Sequence, residues 1–139
     1  MATLYHQLMI NAPAAKVFQA LSTIEGIGSW WDTPKAGEHE QLAAWLFEPG
    51  AGHDVLIMAV DESVPNSRIL WRCVSEHEES SPASAWFGTG IVFELAANAD
   101  KTMLEFRHAG WDESNRYLGF CNFQWAMSLK ALKDYCERR

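Results

Sequence analysis

The stretch that most constrains this chain is its last, Ser114 to Arg139. Leu118, Cys121, Trp125, Leu129, Leu132 and Cys136 recur there at spacings of three or four, while Asn122, Lys130, Lys133 and Glu137 take the other faces. That is the pattern of one amphipathic helix of about six or seven turns. Its apolar stripe has to be buried. Most of the preceding segments read as strands, so the partner it implies is a curved antiparallel sheet. A single long helix lying in such a sheet leaves room for a cavity, and what occupies that cavity is the functional question.

The earlier chain supplies the sheet. Thr3 to Ile10 alternates loosely and reads as a first strand. Asn11 and Pro13 then open a short helix through Leu21, with Val17, Phe18 and Leu21 on one face. Ser22 and Thr23 offer a second cap, followed by a short irregular helix ending at Trp30 and Trp31. Residues 38–47 fit either a helical or a strand period. Pro49 to Gly52 reads as a turn, Asp54 to Val60 and Arg68 to Glu76 as a hairpin around Pro65 and Asn66, and His77 to Ser84 as a polar loop. Trp86 to Leu95 and Thr102 to His108 complete the strands, joined by a tight connection. In the last strand Leu104, Phe106 and His108 share one face and Met103, Glu105 and Arg107 the other. Arg72, Glu94, Glu105 and Arg107 are thereby expected on the outer side as solvated ion pairs.

A length of 139 residues with no linker or repeat implies one domain, 1–139. Seven Trp and seven Phe are a heavy aromatic load, which implies a bulky core or an aromatic-lined pocket and, in the latter case, a flat apolar ligand. A net charge of −7 with scattered Lys and Arg argues against a nucleic-acid partner, since phosphate binding needs a basic field. No apolar run approaches the roughly 20 residues that span a bilayer, and no basic, apolar leader opens the chain, so no membrane insertion and a cytoplasmic location are expected. Three cysteines without a CxxC pair read as reduced, packed thiols.

Two blocks carry a family resemblance. Residues 10–32, INAPAAKVFQALSTIEGIGSWWD, hold an Ala/Pro opening, Val-Phe-x-Ala-Leu, a Thr-x-Glu-Gly turn and a Trp pair; residues 89–111, TGIVFELAANADKTMLEFRHAGW, hold Phe-Glu-Leu, a polar turn and His-Ala-Gly-Trp. With Trp125 in the terminal helix, these resemble the SRPBCC or START-like superfamily, and within it the AHSA-type branch related to the C-terminal domain of the activator of the heat-shock chaperone ATPase. The resemblance implies an α+β helix-grip fold, START-like and pollen-allergen-like: a curved antiparallel sheet wrapped around a long C-terminal helix, with two short helices after the first strand. It also favours strand for residues 38–47. The superfamily's recurring theme is a hydrophobic cavity between sheet and helix, and some members are cyclases or dehydratases. The co-chaperone resembles this chain only in its second half, so chaperone activation is not carried over.

The expected activity is therefore binding of a small apolar, possibly aromatic molecule. Trp30, Trp71, Phe93, Phe106, His108, Trp111, Phe120 and Trp125 are the expected lining residues, with one of Trp30 and Trp31 inward and the other at the rim. His108 is the one candidate acid or base, because an unperturbed imidazole titrates near 6.5; the alternative is a core histidine bonded to backbone. No acid or nucleophile stands at a diagnostic spacing from it, so no catalytic residue is assigned. A cyclase-like enzyme using His108 and a chaperone-associated interaction module are the rival readings. His6, His39, His53 and His77 are scattered, so no metal and no cofactor are expected. A homodimer is compatible with the aromatic content.

Overall fold

A computed structural model describes residues 1–48 and 54–138. Seven antiparallel strands form one curved sheet in the order β1-β7-β6-β5-β4-β3-β2. They are β1 Ala2–Ile10, β2 Lys35–His39, β3 Leu42–Phe47, β4 Leu56–Val64, β5 Arg68–Cys73, β6 Gly90–Asn98 and β7 Lys101–Trp111. Two short helices, α1 Ala14–Ser22 and α2 Ile24–Trp30, follow β1, and the chain closes with α3 Leu118–Glu137. This is the expected helix-grip architecture.

The apolar stripe of α3 is buried where the 3.6-residue period puts it, at Cys121, Trp125, Leu129, Leu132 and Cys136. The helix begins later than Ser114. The Asp112 carboxylate accepts from the Ser114 amide at 2.9 Å and hydroxyl at 2.8 Å, and Asn115 Oδ1 accepts from the Tyr117 amide at 2.8 Å. Short polar side chains that bond their own backbone compete with helix, and here they hold residues 112–117 in turns. Further along, α3 lies over β1: Lys133 Nζ donates to the Met9 carbonyl at 2.9 Å, and His6 Nε2 and Asn122 Oδ1 are 2.9 Å apart.

The α1 and α2 helices are joined at Thr23, whose hydroxyl accepts from the Gly26 amide at 2.9 Å. A side chain at Gly26 would collide with the Gln19 carbonyl and come 2.7 Å from Ala20 Cα, so glycine lets the two helices touch. Residues 38–47 are strand, but the single element expected there is a hairpin, β2 against β3, around Glu40 and Gln41 at φ 46° and 72°. The expected turn at Pro49 to Gly52 lies outside the described residues. β4 runs on to Val64 through an irregularity between Val60 and Glu62. β6 begins at Gly90 rather than Trp86, because Pro82–Ala85 form a 3₁₀ turn and Gly88 takes φ +79°. β7 runs three residues past His108, and Gly110 at φ +94° turns its end.

Along the sheet, side chains alternate between two environments. The outer face carries Arg72 2.8 Å from Asp61, and Arg107 and Arg68 at 3.1 and 3.3 Å from the Glu94 carboxylate, solvated pairs of small energetic weight. The inner face carries Trp71, Ile91, Phe93, Leu104, Phe106 and His108, all buried beneath α3 and the short helices.

Candidate functional site

The interior between sheet and α3 is an aromatic cluster, and its hub is Trp31. The indole lies nearly parallel to those of Trp30 (5.9 Å between centroids, 15°), Trp71 (6.0 Å, 11°) and Trp86 (6.2 Å, 19°), and tilted against Phe47 at 4.7 Å and Trp125 at 5.2 Å. Around this hub, Phe93 meets Trp71 and Phe106 edge-on at 5.0 and 5.4 Å, and Phe106 meets Trp125 at 4.6 Å. Edge-to-face and offset-parallel contacts at these spacings are the favourable ones for aromatic quadrupoles. The space expected to be a cavity is thus occupied by the chain's own rings.

Three of these indoles are fixed by hydrogen bonds. Trp30 Nε1 donates to the Ala20 carbonyl at 2.8 Å, Trp86 Nε1 to Cys121 Sγ at 3.5 Å, and Trp125 Nε1 to His108 Nδ1 at 3.1 Å. The last contact defines the state of the histidine. The Thr89 hydroxyl has one proton, and it sits 2.5 Å from the Trp86 carbonyl and 2.7 Å from His108 Nε2. If that proton goes to the carbonyl, Thr89 accepts from Nε2–H, and Nδ1 is left as the acceptor that Trp125 requires. The result is a consistent chain, Trp125 to His108 to Thr89 to Trp86, built on a neutral imidazole. Burial also drives the His108 pKa down to about 3, by disfavouring the charged form. The partners of His108 are side chains rather than the backbone.

Two buried donors differ from the rest: Trp71 Nε1 and Trp111 Nε1 have no hydrogen-bond partner among the described residues. Trp71 also lines an apolar recess of about 210 Å³ between the end of α1 and strands β3 to β5, together with Leu21, Ser22, Ala43, Trp45, Val60, Ser63 and Ile69. A hole of about 150 Å³ lined by aliphatic and aromatic side chains suffices for a benzene ring, so this recess has the volume of one or two fused rings.

Of the expected lining residues, Trp30, Trp71, Phe93, Phe106, His108, Trp111 and Trp125 are gathered in this interior, all buried. Phe120 is not among them. It is 55% exposed on the outer face of α3, because it stands one position before Cys121 and so points about 100° away from the buried stripe. Of the pair expected to place one ring inward and one at the rim, Trp30 is buried and Trp31 half-buried, and it is Trp31 that forms the hub. Thr89 and Trp86, the far end of the histidine chain, carry no sequence signal beyond the glycines beside Thr89. Burial pushes the Cys121 thiol up and that of Cys136 up to about 11, so both are inert packing groups.

The comparisons with known proteins agree with this fold. The solution structure of the Aha1 dimer from Colwellia psychrerythraea is similar over 99% of this chain and 97% of that one, at 28% identity and a TM-score of 0.80. The crystal structure of MLL2253 from Mesorhizobium loti shares the fold at 20% identity and a TM-score of 0.77, with 96% of this chain and 95% of that one covered. CalU16 from Micromonospora echinospora shares it at 19% identity and a TM-score of 0.75, over 97% of this chain and 74% of that one. No curated protein is significantly similar to the chain. The pattern of the family described as "Activator of Hsp90 ATPase homolog 1-like protein" matches residues 11–137, and with it the chain belongs to that family, an AHSA-type branch of the SRPBCC superfamily.

Proposed function

We propose that the protein holds a small, flat, apolar molecule carrying one hydrogen-bond acceptor against the inner face of the sheet, in the recess between the end of α1 and strands β3 to β5 that adjoins the aromatic interior. The observation that carries this reading is the apolar recess walled in part by Trp71, whose buried Nε1 has no hydrogen-bond partner among the described residues. An unsatisfied buried donor costs about 1–3 kcal/mol, and a carbonyl, ether or hydroxyl oxygen on the ligand would recover it. Apolar walls with a few placed polar groups are the usual make-up of small-molecule sites. Membership of a superfamily of ligand-binding folds supports the same reading. The rival role for His108 as acid or base gains nothing here, since both ring nitrogens are engaged and the ring is fully buried. The three unpaired buried thiols suit a reducing compartment, the cytoplasm.

Native mass spectrometry of the purified protein, followed by denaturing extraction, tests the reading. The expected result is an adduct that is lost on denaturation and proves to be a ring compound with an oxygen acceptor. The absence of any adduct, together with no quenching of tryptophan fluorescence by 2-naphthol, would overturn it.

A second copy of the chain is the protein partner we propose. Phe120, Phe123 and Met127 stand at helical spacing on the outer face of α3 and are 55%, 64% and 54% exposed. A C₂ pair of such helices would bury these side chains as the centre of an isologous interface. The similar Colwellia protein is described as a dimer.

A further inference from the structure

We infer that Trp31 is an internal occupant of the ligand slot: a planar bicyclic aromatic molecule binds in the space that the Trp31 indole fills, and enters by displacing that side chain. The inference deepens the reading above and rests on it for the biological role of the slot, though not for the slot itself.

The geometry around Trp31 is that of a bound aromatic ligand. Its ring lies within 11–19° of parallel to those of Trp30, Trp71 and Trp86 and touches Phe47 and Trp125. The walls are anchored and the occupant is not. Trp71 and Trp125 stand on β5 and α3 and are buried to 0% and 2% exposure. Trp30 and Trp86 are pinned through their own Nε1 atoms. The Trp31 indole makes no side-chain hydrogen bond among the described residues, stays partly open to solvent, and hangs from the residue that ends α2, whose φ of −127° and ψ of −114° belong to neither helix nor strand. The following residues 32–34 are in no helix or strand. The ring can therefore leave by rotation about its own side-chain bonds, with its five aromatic contacts passing to a ligand of the same shape.

Because the free protein holds its own ring in the slot, ligand affinity is reduced by the fraction of molecules in which Trp31 is out. Removing the Trp31 ring should raise affinity.

The test uses the full chain labelled with 5-fluorotryptophan and titrated with 2-naphthol, read by ¹⁹F NMR. Trp31 is assigned as the resonance missing from Trp31→Phe. The expected result is that this resonance moves to the position of a solvent-exposed indole as naphthol saturates, and that Trp31→Ala binds naphthol at least tenfold more tightly than the unmodified protein. Naphthol binding with the Trp31 resonance unmoved, equal or weaker binding by Trp31→Ala, or no binding by either protein would overturn the inference. The wild-type titration decides the matter even where Trp31→Ala fails to fold. A molecule that co-purifies while Trp31 stays in place leaves the proposed function standing and removes the displacement; displacement by naphthol in a protein that never carries a natural ligand does the reverse.

Discussion

At the scale of single residues, His108 ties the interior together. Its folded-state pKa of about 3 lies well below the ordinary 6.5. Above pH 6.5 the imidazole is neutral in both folded and unfolded chains and the effect vanishes. As the pH falls from 6.5 toward 3, the unfolded chain takes up a proton that the folded chain refuses, so stability declines by up to about 1.4 kcal/mol per pH unit. Urea unfolding between pH 7 and 4.5 should show His108→Gln less stable than wild type at pH 7 but with a flatter pH dependence, by about one proton's worth. Equal slopes would mean that the imidazole is charged inside the protein. Phe106 and Trp125 are packed on all sides, and Phe106→Ala should cost about 3–5 kcal/mol by denaturant titration. The inward placement of Phe106 and His108 was legible from strand alternation alone. The partners of His108 were not, because Thr89 is brought to it by strand pairing of Gly90 with Ala109, a contact that no local pattern records.

Among the elements, legibility followed periodicity. The stripe of α3 repeats over five turns and reads directly from the sequence, whereas the β2–β3 hairpin lacks the Asn-Gly or Asp-Gly signal that two-residue turns usually carry. Glu40 and Gln41 adopt the left-handed conformation instead, a strained choice for residues with a Cβ. Gln41→Gly should therefore stabilise the protein by about 0.5–1 kcal/mol in thermal or urea unfolding; destabilisation would show that the Gln41 side chain contributes something the strain conceals. The start of α3 is hidden in the sequence for the opposite reason. Residues 114–117 continue a plausible helical pattern, and only the Asx-type bonds of Asp112 and Asn115 stop it.

For the whole molecule, the curved antiparallel sheet and the long helix followed from the succession of segments and the resemblance of two blocks, while the strand order and the state of the interior did not. Sequence can count tryptophans, but whether they line a hole or fill it depends on where α2 and the 3₁₀ turn deliver Trp31 and Trp86. The outer face of α3 belongs to this scale as well. Phe123→Glu places a charge at the centre of the proposed interface, and sedimentation velocity should show a dimer dissociating to monomer with melting temperature little changed, since Phe123 is exposed. A wild-type protein that sediments as a monomer at every concentration would remove the dimer.

An open seven-stranded sheet has two free margins, β1 and β2. β2 is short and bears Lys35 and Glu38, a margin that resists adhesion. β1 is nine residues long and strongly apolar, and α3 reaches it through Lys133 on the Met9 carbonyl and Asn122 on His6. The helix that closes the interior therefore also guards a long strand against pairing with other chains. A molecule whose α3 frays would expose its core and an adhesive strand in the same event, so loss of this one helix leads toward aggregation rather than toward a soluble, partly folded sheet.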